Sequence, residues 1–492
     1  MNYLGIDVGT TCCKCQLFSE KGEILEYIVK EYAFIFKDGY NYVDVEVIWA
    51  NVKDMIKAVA KNHEISSICV SSLGEAFVLL DKDDNVLFYP MLYTDPRGEK
   101  QANDIIEKIG EERAFKISGV LPHSMYSISK LLYIKEEYQD IYNKADKVLL
   151  ICDYVGYMLS NKRVIDYALA SRTGVLDINS LEFSDEMLSI LKVDKNLFST
   201  PMRAGSIVGE IKAEIKEELN IKGNPVLVLG SHDQVCTSIG AGAIMSGQAV
   251  DGLGTVECIT AIFDKKCDDY SMGKMGYPCV PYAIEGLYCT YLLNYSCGST
   301  VNWLKKNIMH GFSGEEKDFF TYLEKNMKDG PSELLTLPYF GGAATPRQDL
   351  SAKGGIINLT TQTTDADIYK SIMEGTAMEM KYNAEVLGDF GIDIKELVAT
   401  GGGANSKAWM QIKADIQEVN IKTLRSSEGG LCGTAMMSAV ALKGAKNYED
   451  AKEIFVRYND QFAPNQEMIN AYKTQYAKYK KLYNCIKEVN SL

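Results

Sequence analysis

Asp233 is the residue of this sequence whose position best suits catalysis. It lies in the segment "GSHDQV", directly after the apolar run of residues 225–229, which predicts a buried strand. A carboxylate at the carboxyl end of a strand in an open α/β sheet lies where such folds bind substrates. There it can accept a proton from a hydroxyl group that attacks a phosphorus atom. The alternative role is a helix N-cap, a position at which Asp is also favoured.

Three glycine-containing turns, each after a predicted strand, have the character of phosphate sites. They are residues 9–11, 254–255 and 401–403. Backbone N–H groups in such turns can point into one concavity, and glycine lets the backbone approach a ligand closely. A single turn of this kind is usually only a turn, but three in one α/β chain favour phosphate binding. The P-loop pattern is absent, and "GGGANS" departs from the dinucleotide pattern G-x-G-x-x-G at its last position.

Asp7 lies inside the first predicted strand, beside the turn at 9–11. An acid in that place suits Mg²⁺ bound through water. The alternative is a buried, hydrogen-bonded Asp, which is less common because burying a carboxylate is costly. Cys12 and Cys15 form a lone C-x-x-C nearby, and without a second pair they do not predict a metal site.

The elements that must position these residues follow from hydrophobic periodicity. Period-two and apolar runs predict strands, and apolar residues spaced three or four apart predict helices. Strands are predicted within 3–8, 13–18, 65–90, 224–230, 246–266 and 397–400. Helices are predicted within 46–60, 98–160, 231–244, 368–387, from about 407, within 428–444, and as a pair in the tail 445–492.

The sequence motif at the start of the chain recurs about half-way along it. Asp7-x-Gly9-Thr10, followed by "TCCKCQLF", is matched by Asp251-x-x-Gly254-Thr255, followed by "VECITAIF". Such a spacing is far too long for a solenoid repeat. We interpret it as a duplicated α/β domain in which each half begins with a Gly-Thr hairpin. The predicted domains are residues 1–245 and 246–492.

Composition excludes several functions. Of the 492 residues, 46% are apolar and 24% are charged, as in folded domains with sizeable cores, and the formal net charge is −14. Nucleic acids and anionic membranes are bound by clustered Lys and Arg, so neither is expected as a partner. No apolar run approaches the roughly 20 residues of a membrane span. With no signal-peptide pattern, we expect a cytoplasmic protein whose thirteen cysteines stay reduced. The oligomeric state is open, and a homodimer is one option.

Several segments together resemble the FGGY carbohydrate kinases, a family that includes glycerol, xylulose and gluconate kinases. The resemblance covers about residues 3–445 and is carried by "GIDVGTT", "YTDPR" (93–97), "SMYSISKLLYIKEE" (124–137), "GSHDQVCTSIGAG", "GLGTVECIT", "IMEGTAMEMKYN" and "GGGANSKAWMQIKADIQEVNI" (401–421). It implies an α/β fold of two ribonuclease H-like, actin-like domains with ATP in the cleft between them. It also implies ATP- and Mg²⁺-dependent phosphorylation of a hydroxyl of a small sugar, sugar acid or polyol.

The resemblance implies a role for each matching residue. Asp233 is similar to the catalytic base of the family. The implied substrate-binding residues are Glu75, Asp95, Arg97 and Gln234. The implied nucleotide-binding residues are Thr10, Thr11, Lys14, Thr255, Gly401, Gly402, Gly403 and Asn405. Asp7, through water, and Asp233 are the implied Mg²⁺ ligands. The first half would then bind the sugar, and the second would bind the nucleotide and carry a helical tail.

The sequence departs from the family pattern beside Glu75. Glycerol kinases carry an Arg immediately before this Glu and xylulose kinases a Met-His pair, whereas this chain has Gly74. Absence of the Arg disfavours glycerol, and a small residue is expected to leave room for a larger substrate. Glu257, after the second turn, is expected to face either the sugar or solvent. His232 could tune Asp233, but a packed or solvent-facing His is the favoured interpretation.

Two other classes of function remain as alternatives to a kinase. A non-catalytic or chaperone-like actin-fold ATPase would need a peptide-binding domain or a lost base, and the sequence shows neither. A sugar-sensing regulator would need a DNA-binding module, and the acidic chain offers no evident basic helix-turn-helix.

Overall fold

The computed structural model describes residues 1–309, 316–426 and 428–490. The strands of the first half are β1 Asn2–Val8, β2 Cys12–Ser19, β3 Ile24–Glu31, β4 Ile35–Lys37, β5 Tyr40–Tyr42, β6 Ser67–Ser72, β7 Phe77–Leu80, β8 Val86–Phe88, β9 Lys147–Leu150, β10 Val164–Asp166, β11 Leu176–Asp177, β12 Glu182–Phe183, β13 Thr200–Met202, β14 Ile207–Glu210 and β15 Val226–Val228. Those of the second half are β16 Gln248–Leu253, β17 Glu257–Phe263, β18 Val280–Pro281, β19 Tyr288–Asn294, β20 Leu335–Leu337, β21 Gly355–Ile357, β22 Glu396–Thr400, β23 Asn420–Leu424 and β24 Tyr458–Phe462.

Helices occupy much of the remaining chain. In the first half they are α1 Val45–Asn62, α2 Glu99–Ile109, α3 Glu111–Ser118, α4 Ser127–Glu137, α5 Gln139–Tyr142, α6 Ile151–Ser160, α7 Tyr167–Ser171, α8 Asp185–Leu191, α9 Ala213–Leu219 and α10 Asp233–Gly240. In the second half they are α11 Tyr270–Lys274, α12 Gly298–Asn307, α13 Glu316–Lys325, α14 Asp365–Gly388, α15 Lys407–Gln417, α16 Gly429–Ala441, α17 Tyr448–Phe455 and α18 Gln466–Asn490. Short 3₁₀ turns lie at Lys195–Leu197 and Gly402–Asn405.

Two large mixed sheets share the same topology over six strands, and the second sheet has one further edge strand, β18. The strand order is β14-β15-β6-β1-β2-β3 in the first sheet and β18-β19-β17-β16-β22-β23-β24 in the second. In each sheet a central hairpin (β1–β2 or β16–β17) is antiparallel, and its first strand pairs in parallel with a strand that follows a helix. The predicted duplication of an α/β unit is therefore present as two equivalent sheets, as in actin-like folds.

The tail of the chain differs from its prediction. The two helices predicted within residues 445–492 are present as α17 and α18, but the prediction missed β24, which lies between them and pairs antiparallel with β23. The helical interpretation of 98–160 also misses β9, which pairs with β7. Both strands are short, and each is stabilised by a distant partner strand that local periodicity does not reveal.

The two halves share a continuous core. Gly429–Ala441 (α16) belongs to the second half in sequence, yet it packs on β1, β6 and α10 of the first half. One cluster of buried apolar residues includes Tyr3 and Val235 from the first half together with Val250 and Leu431 from the second. The boundary between residues 245 and 246 therefore stays a prediction.

In the described residues, no helix is both long and apolar enough to cross a bilayer.

Candidate active site

The first hairpin turn presents free backbone donors beside an acid. Gly9 donates its amide hydrogen to the Cys12 carbonyl at 3.0 Å, which fixes the turn between β1 and β2. The amides of Thr10 and Thr11 donate to no described residue. Asp7, the penultimate residue of β1, accepts a 2.7 Å hydrogen bond from Ser71 Oγ. Burial raises the pKa of Asp7, against the effects of this hydrogen bond and of the Lys14 charge.

Asp233 begins α10 at the end of the strand–elbow segment. The N-cap residue is His232, so the alternative role of Asp233 as an N-cap is wrong. Its Oδ1 atom is buried and has no hydrogen-bond partner in the described part of the chain. Burial, together with the negative charge of Asp7, raises the pKa of Asp233 to about 7. A carboxyl group with such a pKa can exchange a proton near neutral pH.

His232 packs against this carboxylate instead of facing solvent. Its Nε2 atom lies 3.2 Å from Asp233 Oδ1, and its ring meets Tyr291 edge-on with centroids 6.3 Å apart. Burial and the nearby Arg172 charge lower the pKa of His232 well below its ordinary value. A neutral imidazole therefore lies against the Asp233 carboxylate.

Glu75 faces a cation that the sequence analysis did not identify. Its backbone adopts a left-handed φ of 58°, which is strained for a non-glycine residue. Its carboxylate forms a buried ion pair with Arg172, whose guanidinium lies over the rings of Tyr126 and Tyr291 at 5.5 and 5.7 Å. In the sequence, Arg172 is distinguished only as a single cationic residue that follows the small-residue segment "ALAS".

The room expected above Gly74 is not there. A Cβ atom at this position would lie 3.0 Å from Cδ2 and Nε2 of His232 and 3.5 Å from Cγ of Arg172. The expectation of a roomier site was wrong because His232, directly before α10, and Arg172, directly after α7, occupy the space. Glycine at position 74 allows the imidazole to pack closely against the backbone.

Three buried polar atoms without partners converge on this region. They are Nε of Arg172, Nδ1 of His232 and Oδ1 of Asp233. Buried polar groups are nearly always hydrogen-bonded, so a cluster of unsatisfied ones marks a place where a polar ligand can bind. Nε donates and Oδ1 accepts. This mixture suits hydroxyl groups, each of which can do both.

The other predicted substrate residues lie close by. Arg97 binds Asp95 through Nε and Nη2, the latter at 2.6 Å, and donates from Nη1 to Tyr42 at 2.6 Å. Burial acts to raise the pKa of Asp95, but the hydrogen bonds from Arg97 and its positive charge outweigh this effect and hold the pKa below its usual range. Lys130 Nζ donates to the Asp95 carbonyl at 2.8 Å, and its charge also acts on Glu75. Gln234 follows Asp233 on α10 and is half-buried.

A second site is a cavity of about 520 Å³ in the second half. The second hairpin turn and the glycine turn line it together, through Gly254, Thr255, Gly402, Gly403 and Asn405. Three aromatic side chains that the sequence analysis did not single out also line it: Phe320, Tyr369 and Trp409. Backbone-rich turns opposite aromatic rings suit phosphates and a planar base. Ser406, which also lines this cavity, caps α15 by accepting a hydrogen bond from the Trp409 amide.

Four predicted nucleotide residues do not line this cavity: Thr10 and Thr11 of the first hairpin turn, Lys14 and Gly401. Gly401 lines a neighbouring cavity of about 600 Å³ instead, with a left-handed φ of 85°. A Cβ atom at Gly401 would lie 2.6 Å from the Leu253 carbonyl oxygen, so glycine lets this turn touch β16. Lys14 is bound to both carboxylate oxygens of Glu428, at 3.0 and 3.1 Å. Its predicted contact with phosphate stays a prediction.

Asp7 and Asp233 are the residues that fit a divalent cation. After burial, the charge of Asp7 is the next largest cause that raises the Asp233 pKa. No group of three or more His, Cys, Asp or Glu suited to a metal occurs among the described residues. Two carboxylates, one with an unpartnered oxygen, match Mg²⁺, which keeps several waters and takes one or two protein carboxylates.

Glu257 faces neither sugar nor solvent, so both expectations for it were wrong. It is fully buried and forms an ion pair with Lys413, a residue that is also fully buried. Its position directly after the exposed turn gave no sign of a cation contributed by α15, which follows much later in the chain.

Comparison with known proteins gives one consistent result. The family model described as "FGGY family of carbohydrate kinases, N-terminal domain" matches residues 2–240, and the C-terminal domain model of the same family matches 254–442. A xylulose kinase of Staphylococcus epidermidis is 26% identical over 99% of this chain and 97% of its own. A gluconokinase of Bacillus subtilis is 25% identical over 96% of this chain and 93% of its own. The solved structure of ligand-bound xylulose kinase from Lactobacillus acidophilus superposes with a TM-score of 0.90, at 25% identity over 99% of this chain and 98% of that one.

Proposed function

Because the chain belongs to the FGGY family of carbohydrate kinases, we propose that it transfers the γ-phosphoryl group of ATP to a hydroxyl of a neutral sugar or polyol, with Asp233 as the general base. The observation that carries this proposal is Asp233 Oδ1 at the start of α10, a buried atom that accepts no hydrogen bond from the described residues. Family membership favours a kinase over a chaperone-like ATPase or a sugar sensor. All thirteen cysteines are free thiols, which supports a cytoplasmic setting.

The sugar is held on the first half of the chain. Glu75 accepts hydrogen bonds from its hydroxyls, and Arg172 donates to them from the unpartnered Nε. The His232 imidazole, neutral and 3.2 Å from Asp233 Oδ1, limits the movement of that carboxylate. The attacking hydroxyl thus meets an oriented base whose pKa of about 7 suits proton transfer at neutral pH.

The nucleotide is held on the second half. The adenosine lies among Phe320, Tyr369 and Trp409 in the cavity with Gly402, Gly403 and Asn405. Its phosphates extend along the Gly254–Thr255 turn towards the amides of Thr10 and Thr11. These donors stabilise the negative charge on the phosphoryl group during transfer. Mg²⁺, held by Asp7 through water and by Asp233, would supply further neutralisation of phosphate charge.

The charges around the sugar site favour a neutral substrate over a sugar acid. Arg172 is paired with Glu75, and Arg97 with Asp95. Lys130 is fully buried, and its Nζ donates to two backbone carbonyls. Burial lowers the pKa of Lys130 to about 8, so its charge is already costly to keep. A carboxylate entering this site would meet paired cations and the acidic Asp233.

The test is an ADP-release assay with D-xylulose, xylitol, glycerol and D-gluconate, each with ATP. We expect kcat/KM for a neutral five-carbon compound to exceed that for D-gluconate at least tenfold. In the Asp233→Asn variant, kcat should fall by about 10²–10⁴, the usual contribution of a general base. The sugar Kd measured by calorimetry should change less than threefold.

Asp185→Asn is the matched control, because Asp185 is an exposed carboxylate in the same half. Its kcat should equal that of the native chain. Undiminished ATP-dependent turnover in Asp233→Asn would contradict the assignment of the base. A preference for D-gluconate would contradict the neutral-substrate assignment alone.

A further inference from the structure

Lys413 is a buried cation that the proposed reaction does not use. It lies on α15, and its side chain is 0% exposed. Its Nζ atom lies 2.8 Å from Asp251 Oδ2 and contacts Glu257 Oε1. The two carboxylate side chains are 1% and 0% exposed. We call Lys413, Asp251 and Glu257 the Lys413 triad.

Stability alone does not explain the Lys413 triad. Removing three charged groups from water is costly, and well-packed apolar residues of similar size are often equally or more stabilising. Breaking such a cluster by removing one partner is, by contrast, strongly destabilising, because it leaves a buried charge uncompensated. The best-attested use of a buried ionic cluster is to fix one geometry among several.

The Lys413 triad lies directly behind the nucleotide cavity. Asp251 lies on β16 three residues before Gly254, and Glu257 begins β17 two residues after Thr255. Lys413 lies one helical turn after Trp409 on α15, and Trp409 lines the cavity together with Gly254 and Thr255. Its ammonium group therefore ties both ends of the second hairpin turn to the helix behind the adenosine.

Among the residues that the structure describes, the first hairpin has no equivalent arrangement. Asp7, the counterpart of Asp251, is only half-buried and binds Ser71 Oγ. Lys14 lies opposite Asp7 across the strands, but its Nζ binds Glu428. The duplicated Asp is thus accessible in the first half and sequestered by Lys413 in the second. This difference assigns the second Asp to holding structure and not to a metal.

We propose that the Lys413 triad positions the Gly254–Thr255 turn against α15 and so determines the affinity for nucleotide, an inference that rests on the proposed function of this cavity. Lys413, Asp251 and Glu257 touch no reacting atom and are positioning residues. Their loss weakens ADP and ATP binding while leaving the sugar site intact.

The test compares Lys413→Met with the native chain by calorimetry with ADP at 15 °C and by steady-state kinetics. We expect the ADP Kd and the KM for ATP to rise at least tenfold. The KM for sugar and kcat should change less than threefold. Adding Glu257→Gln to Lys413→Met removes one of the two uncompensated carboxylates. The ADP Kd of this double variant should be at least threefold lower than that of Lys413→Met.

Lys147→Met is the matched control. Lys147 is a buried lysine on β9 with two carboxylate partners, Asp84 and Asp146, in the other half. Its loss should lower Tm without changing the ADP Kd. A Lys413→Met protein with a lower Tm and a native ADP Kd would overturn the proposal, as would an equal rise in the KM for sugar.

Two further results separate the possible failures. If the native chain does not bind ADP, the proposed function of the cavity fails before the Lys413 triad is tested, and this inference falls with it. If Lys413→Met does not fold, the ADP Kd of the single variant Glu257→Gln tests the proposal instead, because this variant keeps the Asp251–Lys413 pair. A threefold or greater rise in its ADP Kd supports the positioning role, and an unchanged Kd overturns it.

Discussion

Arg172 is the single residue on which the geometry of the sugar site most depends. Its guanidinium compensates the buried charge of Glu75, lies over two aromatic rings and leaves Nε unpartnered. Arg and Lys are not equivalent in such a place, because only Arg offers a planar fork of donors that also stacks on rings. The chain thus provides a guanidinium beside Glu75 from a distant segment and not from position 74.

We expect Arg172→Lys to weaken sugar binding without unfolding the protein. The ammonium group keeps a positive charge for Glu75 but loses Nε and the stacking on Tyr126 and Tyr291. The KM for sugar should rise about tenfold, as for the loss of one hydrogen bond to a charged group, with KM for ATP unchanged. Arg113→Lys, in an exposed ion pair with Glu186, is the control for steady-state kinetics. Equal sugar KM values in the two variants would contradict the role of Arg172.

At the scale of elements, the contact between α10 and α16 holds Asp233 in place. A Cβ atom at Gly433 of α16 would lie 1.9 Å from the Cys236 carbonyl oxygen on α10. A Cβ atom at Gly240 of α10 would similarly lie 1.9 Å from the Gly429 carbonyl oxygen. The backbones are in direct contact, so any side chain at these positions must push the helices apart.

Gly433→Ala should therefore lower both stability and activity. Overpacking typically costs about 1–3 kcal/mol, and here a shift of α10 also displaces Asp233. We expect a lower Tm by thermal unfolding and a reduced kcat. Gly156→Ala is the control, because a Cβ at that helical position meets Leu227 at an ordinary 3.5 Å. A Tm in Gly433→Ala at or above that of Gly156→Ala would show that the helices can separate freely.

The packing of α18 on α14 should make stability depend on pH through Glu374. Its carboxylate accepts hydrogen bonds from the Ser332 amide at 3.0 Å and from the Tyr472 hydroxyl at 2.9 Å. Burial, partly offset by these bonds and by Lys370, raises its pKa to about 7. The folded state therefore keeps this proton between the unfolded pKa, about 4.3, and about 7. Between these two pKa values the free energy of unfolding falls as pH rises. Above the folded-state pKa, the contribution of Glu374 to the free energy of unfolding no longer changes with pH.

Glu374→Gln mimics the protonated carboxyl at every pH. The Tm difference, variant minus native, should accordingly grow by about 1–4 °C between pH 5 and pH 8. Glu385→Gln, at an exposed position of the same helix, is the control and should give a constant difference. Parallel Tm curves for Glu374→Gln and the native chain would contradict the raised pKa.

At the scale of the whole molecule, the reaction needs the two halves to meet. The proposed base lies on the first half and the nucleotide cavity on the second. Phosphoryl transfer to water must also be suppressed, which closure around both substrates achieves. We expect the radius of gyration from small-angle scattering to decrease when sugar and a non-hydrolysable ATP analogue are both present. Each ligand alone is the control, and an unchanged radius with both would contradict closure.

Most of the fold could be predicted from the sequence because its signals are local. The hairpins β1–β2 and β16–β17, the long helix α14 and the helix α15 all follow from periodicity and turn residues. The recurrence of the motif Asp7-Gly9-Thr10 as Asp251-Gly254-Thr255 predicted a duplicated α/β unit, and the two equivalent sheets confirm this prediction. Many strands were not predicted, among them β3 and β19 of the two main sheets. Of these, β9 and β24 are short and depend on pairing with distant strands.

The sequence by itself indicated the candidate base and the three turns, because each resides in a contiguous motif, and several such motifs together indicated the kinase class. Only the tertiary structure decided which charges meet. Arg172 reaches Glu75 across nearly a hundred residues, and Lys413 reaches Asp251 and Glu257 from a helix much later in the chain. The same chain folding filled the space above Gly74 with His232. A buried charge must find its partner in space, and spacing along the chain carries no record of that partner.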